Sequence, residues 1–493
     1  MSRFIDAIKI IVTKNLFFTS LLLAGAFLRF YKLQEFTIFL SDQGRDALIV
    51  KDIVTLTHLP LIGAPTSIGQ VFLGPAYYYL IAPFLPLFNF NPVGLSYGVA
   101  VYSLLGAIAC YAVIKREINI AVALLFSVLV LFSSVQLELS RFSWNPNLLP
   151  ISSFFALYFL YKLFNSPKVL YGALFGFFLG LSLQFHYLAL LLGPAIAVFY
   201  GVFYMQNSGS LKKTLKATII APTIALFISI SPLILFDLRH NFINSSNFLK
   251  LFTEQKDIPH ELLSTRFLNV NNAFMNLFFH HQFSVSQALA LSITLFAIYI
   301  VVSKRWRVPY FIHMNAIAVF LFVIFFAFLQ TPRHIHYFTP IYLSFSLVLA
   351  YLLSLLTRLK KWGVIVLAIL LFAYLRLNLY NLPFLVPAGN GQINHAQRVA
   401  QFIGSKVGNE PYNIATWPVY FTEDNYIYFL SLQGQAPADR KKLEITNQMI
   451  VLCGEEPCLV ENSPSWNISM FGPAKIDTMW EIEGIKVYKL LHK

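Results

Sequence analysis

"VFLGPAYYYLIAPFLPLFNF", residues 71–90, decides how this chain is threaded. It is as long and as apolar as a membrane span, which needs about 20 residues. Comparable apolar segments recur at 15–33, 93–114, 118–136, 148–165, 168–184, 187–205, 215–235, 286–303, 308–329, 338–356 and 362–380. If 71–90 crossed as well, the basic loop "KRE" at 115–117 would change sides. With 71–90 left out, "KRE", "NSPK" (165–168), "SLKKTLK" (210–216), "SKRWR" (303–307) and "TRLKK" (357–361) all fall on one side, together with Arg3, Lys9 and Lys14. Lysine and arginine accumulate in cytoplasmic loops, so that side is the cytoplasm. The stretch therefore reads as a re-entrant or interfacial helix, its three consecutive tyrosines at headgroup level.

The result is an all-α polytopic membrane protein of about eleven spans over 1–380, followed by a more polar tail, 381–493. Composition agrees: 57% of the 493 residues are hydrophobic and only 12% charged, with a mean hydropathy of +0.65. A soluble chain would carry about a quarter charged residues. No cleavage site of a secretory leader follows the first apolar segment. The net charge of +14 does not point to nucleic acid. Its lysines and arginines sit in short clusters between apolar segments, as in loops that face anionic lipid.

The other face receives loop 34–92, the turn 137–147, the corner at His186, loop 236–285, the short "QTPRHIH" (330–336) and the tail. In the tail, "NHAQRVAQFIGSKV" (394–407) has a helical pattern, and "YNIATWPVYF" (412–421) and "QMIVLC" (448–453) read as strands. That makes a small extracytoplasmic α+β domain. Cys453 and Cys458 are placed for a local disulfide there, whereas Cys110 lies in an apolar segment.

Unusual polar residues converge on this face: Asp42, Arg45 and Asp46; Glu138, Arg141 and Asn145; His186; Arg239; then Arg333, His334 and His336. Charges at membrane depth are costly unless paired or lining a wet cavity, so both signs on several loops suggest a polar cavity. The densest stretch is "FTIFLSDQGRDALIVKDIV", 36–54. Ser41 suits an N-cap and Asp42 a first helical turn. Asp42 and Asp46 share a face, while Ala47, Val50 and Val54 form a stripe fit to lie in the interface. A solvated juxtamembrane helix would explain Asp46 and Asp52 as well.

An acid just after the first span, an amphipathic helix, "GPAYYYLIAPFLPLFNFNP", a basic loop and then "SRFSWNPN" together resemble the bacterial GT-C glycosyltransferases. The chain is similar to protein O-mannosyltransferases and lipid A aminoarabinose transferases, best over its first 200 or so residues. The resemblance implies transfer of a sugar from a polyprenyl-phosphate donor to a glycan, lipid or protein acceptor, on the outer side of the cell membrane. It gives Asp42 the role of general base toward the acceptor hydroxyl. The phosphate leaving group needs electrostatic stabilisation, for which Arg333, Arg239 or Arg141 would serve. A single displacement with one base inverts the anomeric carbon.

The sequence departs from the family pattern at Gln43, where Glu is usual, at Asn145, where Asp is usual, and at Leu73 and Gly74, where aminoarabinose transferases carry a Glu-Lys pair. These losses weaken a carboxylate metal site. A divalent cation, if used, would draw on Asp42, Glu138 and His186, and no cofactor is required by the reading. A polymerase or ligase of lipid-linked glycans would lack the acid loop after the first helix. A transporter tends to show inverted repeats, and none is visible here.

Overall fold

The computed structural model describes residues 15–66, 70–207, 214–253, 261–329, 331–380, 382–386, 388–418, 420–439, 442–461 and 463–493. Arg3, Lys9, Lys14 and most of the 210–216 loop lie outside the described residues. The fold is mainly helical. Its principal helices are α1 (Leu16–Phe30), α2 (Ser41–Val54), α3 (Ala76–Ile81), α4 (Val93–Glu117), α5 (Ile120–Leu131), α6 (Leu149–Asn165), α7 (Val169–Phe185) and α8 (Gly193–Gln206). After them come α9 (Ala221–Ser229), α10 (Ser231–Arg239), α11 (Leu263–Phe279), α12 (Val285–Arg305), α13 (Tyr310–Phe328), α14 (Thr339–Ser354) and α15 (Lys360–Leu379).

Among the described residues six helices are long and apolar enough to cross a membrane, or seven if the bent pair around Ile230 is one span. α1, α5 and α7 are apolar but shorter, so the number of crossings does not follow from helix length. α5 is short for a local reason. Ser133 turns extended and its hydroxyl accepts from Gln136 N at 3.2 Å, starting a new helix where a continuous span was expected.

The basic loop ends do gather on one face. Lys115 donates to Asn15 at 2.6 Å, Lys162 pairs with Glu117 at 3.1 Å, and the Arg358 guanidinium lies 5.0 Å from the Trp306 ring. The opposite face collects 71–90, the 137–147 turn, His186 and loop 330–336.

Two expectations change. Residues 71–90 fold into α3 and a short turn at Phe84–Leu87, with no continuous span. Yet Tyr77 and Tyr78 do not face lipid headgroups: each is 1% exposed, packed inside the protein, and of the three tyrosines only Tyr79 is exposed. Prolines 83 and 86 interrupt the helix, and the ring pair is needed against α2. Loop 236–285 is not open either. It holds α11, whose Val270, Phe274 and Phe278, spaced by four, are buried against α13 and α14. Its four asparagines masked that stripe.

The tail supplies α16 (Gln392–Val407), β1 (Tyr412–Trp417), α17 (Asp424–Leu432), β2 (Gln448–Cys453), β3 (Ala474–Ile482) and β4 (Ile485–His492). The sheet runs β1-β2-β4-β3, with β1 and β2 parallel and the remaining pairs antiparallel. Cys453 and Cys458 are disulfide-bonded. The hydrophobic core of the sheet is continuous with α2: Ile403, Ile414 and Tyr428 share one cluster with Ala47, Val50 and Tyr78. The α2 stripe is thus covered by protein, not by lipid. The tail offers the larger dry surface, and Gly44 lets the two backbones touch, since a Cβ there would sit 2.2 Å from Asn425 N.

Candidate active site

The site is built from four chain segments that meet on the face opposite the basic loops. The first is the start of α2. Leu40, one residue earlier than expected, is the N-cap, and the Gln43 side chain accepts from its N–H at 3.2 Å. Asp42 stands in the first turn with half its side chain exposed. Arg45 Nη1 donates to it at 2.8 Å. The same guanidinium donates to Asp46 Oδ1 through Nη2 at 2.7 Å and Nε at 3.0 Å. Asp46 is fully buried, not a solvated balancing charge, and its Oδ2 has no partner among the described residues. Burial pushes its carboxyl above the ordinary range, against the pull of Arg45 and Tyr78. Burial alone would lower the Arg45 guanidinium, but Asp46, Tyr78 and Asp42 raise it. Arg45 therefore faces carboxylates on both sides. Lys51, likewise, donates to Ser431 of the tail at 3.1 Å.

α3 links this cluster to the next. Tyr78 donates to Asp46 Oδ1 at 2.9 Å, and its neighbour Tyr77 shares a 2.7 Å hydrogen bond with Ser143. Ser143 precedes Trp144, which lies edge-on to His336 at 4.5 Å between ring centres. His336 in turn meets His186 at 5.5 Å and stacks with His334 at 5.7 Å.

Local backbone explains this convergence. Trp144, His186 and His334 are each the extended residue before a 3₁₀ turn that feeds a helix: Asn145–Leu148, Tyr187–Leu192 and Ile335–Phe338. A proline follows in each case, Pro146, Pro194 and Pro340, where a missing N–H costs nothing. Three helix starts on one face thus bring their flanking aromatic and imidazole rings together. His186 Nδ1 accepts from Leu188 N at 3.1 Å, and burial pushes the imidazole down to about 4.

Other predicted residues sit elsewhere. Arg141 is 5% exposed and spends its donors on the end of α1: Leu28 O at 2.6 Å, Arg29 O at 2.9 Å and Tyr31 O at 2.8 Å. It also lies 3.8 Å from the Phe384 ring centre. This is a helix C-cap and leaves no fork for phosphate. Asn145 donates to Phe185 O at 2.7 Å and is buried, a tie between two helices. Glu138 does not pair with Arg141. Burial raises its carboxyl, with His280 pulling the other way. Arg239 is exposed at the end of α10. Arg333 pairs with Glu261 at 2.9 Å, and its Nε has no partner among the described residues.

Arg266 went unnoticed in the sequence. It donates to Phe328 O at 3.3 Å, beside the turn that carries Arg333, and its Nε is also unpartnered among the described residues. The next residue, Phe267, and Asn271, one turn beyond it, line an apolar cavity of about 330 Å³ between α11, α12, α13 and α14. The signal was present as an isolated arginine ahead of an aromatic stripe, obscured because the segment read as loop. Among the described residues no three His, Cys, Asp or Glu side chains converge as metal ligands, so Asp42, Glu138 and His186 are not brought together.

A family model described as dolichyl-phosphate-mannose-protein mannosyltransferase matches residues 73–235. No curated protein matches the sequence. The structure resembles that of ArnT from Cupriavidus metallidurans bound to undecaprenyl phosphate, with a TM-score of 0.63 over 97% of this chain and 98% of that one at 11% identity. The apo form of the same protein gives 0.61 over 96% and 97%, at 12% identity. The Archaeoglobus fulgidus oligosaccharyltransferase, in complex with Zn and sulfate, gives 0.50 over 87% of this chain and 67% of that one, at 12% identity. By sequence over 73–235 and by fold over nearly its whole length, the chain resembles the GT-C membrane glycosyltransferases. It is a multi-pass membrane protein with that fold.

Proposed function

We propose that the chain is a glycosyltransferase that moves a sugar from a polyprenyl-phosphate donor to an acceptor hydroxyl on the extracytoplasmic side of the cell membrane. The observation that carries this reading is the state of the α2 charges. Arg45 and Asp46 are consumed by one another inside the protein, while Asp42 presents an exposed carboxylate that Arg45 fixes in direction. The match to a mannosyltransferase family model supports the reaction class.

Asp42 accepts the proton of the acceptor hydroxyl as its oxygen bonds to the anomeric carbon. The bond from that carbon to the phosphate oxygen breaks, and polyprenyl phosphate leaves with the electron pair. One displacement inverts the centre. Arg333 and Arg266 hold the phosphate, since each guanidinium has an Nε without a partner among the described residues, and Phe267, next to Arg266 in the chain, lines the apolar cavity. The cavity takes the first isoprene units. Arg141 is withdrawn from the phosphate role because both its Nη atoms are committed to carbonyls at the end of α1.

The test is sugar transfer from a panel of radiolabelled polyprenyl-phosphate sugars in proteoliposomes. Wild type should consume one donor, and Asp42→Asn should lose about 10²-fold or more, the size of a general base. Equal activity in the variant removes Asp42 from the reaction.

A further inference from the structure

Between the tail and the first turn of α2 lies a second cavity, of about 310 Å³. One wall is Phe39 and Leu40, immediately before Ser41. The other is carried by the tail through Tyr420, Phe421, Tyr426, His395, Asn425 and Glu455. Its size is that of a small-ligand site, roughly 300–1,000 Å³. We propose that this cleft is a saccharide subsite, which binds an uncharged stretch of a carbohydrate acceptor and presents its hydroxyl toward Asp42. The proposal rests on the transferase reading for the second clause only.

The chemistry of the lining chooses among ligands. Among the described residues no lysine or arginine lines it, so a phosphate or an acidic headgroup finds no counter-charge there. What it offers is aromatic faces alternating with neutral hydrogen-bonding groups and one carboxylate. Sugar rings match that set, with C–H faces for the aromatic rings and vicinal hydroxyls for a two-oxygen acceptor. Tyr420 is 71% exposed, so its ring face is open at the rim, beside Glu455.

The wall is also rigid. Glu455 lies inside the loop closed by the Cys453–Cys458 disulfide. Gly454 N donates to Trp417 O at 2.9 Å, and Trp417 Nε1 donates to Pro457 O at 3.0 Å, so the loop is tied to β1 on both sides. Asn425 approaches Phe39 O at 3.5 Å, and Phe39 N donates to the Gln392 side chain at 2.8 Å, tying the two walls together. A pre-formed cleft loses little freedom on binding.

The experiment uses the full chain in nanodiscs. Mannotriose, maltotriose and N-acetylchitotriose are titrated by saturation-transfer NMR, alongside the donor-transfer assay. At least one saccharide should bind wild type. Tyr420→Ala and Glu455→Gln should each weaken it about tenfold, the scale of one aromatic platform or one charge-assisted hydrogen bond. Tyr420→Phe should keep most of the binding, because the ring face remains. Both positions are exposed, and gel-filtration profiles check that the variants stay folded. Asp42→Asn should bind saccharide like wild type while losing transfer. If that variant still transfers, the base assignment fails and the cleft stands. The proposal is overturned if no saccharide binds, if the cleft variants bind as wild type does, or if a serine- and threonine-rich octapeptide occupies the cleft in place of sugar.

Discussion

Arg45 grips Asp46 with two donors, at 2.7 and 3.0 Å, and Asp46 has no exposed surface at all. The same guanidinium holds Asp42 at 2.8 Å, half in solvent. One arginine therefore divides two acids four residues apart into a structural and an accessible carboxylate.

That division predicts different outcomes for the two acids. Asp46→Ala leaves Arg45 at a largely covered site with its main counter-charge gone. Breaking one side of a buried pair costs roughly 3–5 kcal/mol. Asp42→Asn disturbs an exposed pair worth at most about 1 kcal/mol. Thermal unfolding in detergent should show a large loss for Asp46→Ala and a small one for Asp42→Asn, while transfer activity collapses in the second. An Asp46→Ala protein as stable as wild type would remove the structural role.

Arg141 and Arg333 should separate in the same way. Arg141→Lys loses the planar fork that reaches three carbonyls at the end of α1, and an ammonium cannot span them. A loss of about 1–3 kcal/mol follows from the stranded carbonyls, with KM for the lipid donor unchanged. Arg333→Gln removes charge from the proposed phosphate site and should raise that KM. Steady-state kinetics on both variants decide it, and a KM rise in Arg141→Lys with normal stability would return Arg141 to the phosphate.

How far the sequence foretold this follows from which forces it displays. The membrane class and the gathering of the basic loops on one face were legible, because apolar length and charge sidedness are local properties. So were the tail's first helix, two of its four strands and its disulfide. The burial of Asp46 was not. It depends on Tyr78, thirty-two positions away, and on the tail that covers α2, and neither contact leaves a periodic trace. Arg141 looked like a site residue because a capping arginine and a phosphate-binding arginine are the same letter. The His186, His334 and His336 grouping was legible as a shared face, but its cause, three proline-led helix starts meeting, appears only in three dimensions.

Gly44 tests the docking of the tail. A methyl group there would stand 2.2 Å from Asn425 N and 2.5 Å from Asn425 Cα, backbone that cannot swing aside. Gly44→Ala should push α17 off α2 even though alanine favours a helix. Hydrogen exchange should accelerate across 424–432 and leave α14 unchanged. Wild-type protection in α17 would mean that the interface yields without parting.

His186 gives a pH dependence with a definite sign. Its ring is held neutral, Nδ1 accepting from Leu188 N, with His336 and Tyr337 against its face. Burial lowers it from 6.5 to about 4. In the unfolded chain the ring takes up a proton near pH 6.5. In the folded chain it does so only near 4. Between those values the unfolded state binds more protons, so stability is complete above about pH 6.5 and falls as the pH drops toward 4. At about 1.4 kcal/mol per unit the loss is bounded at roughly 3.5 kcal/mol. His336 stands against the same ring and is lowered by burial as well, so the informative quantity is a difference between proteins. His186→Asn keeps an acceptor for Leu188 N and removes the titration. Its unfolding temperature should fall less than that of wild type between pH 6.5 and 4, and the two curves should run parallel above pH 7. Parallel curves throughout would mean that His186 is protonated in the folded protein as readily as in the unfolded chain, which the apolar packing of its ring argues against.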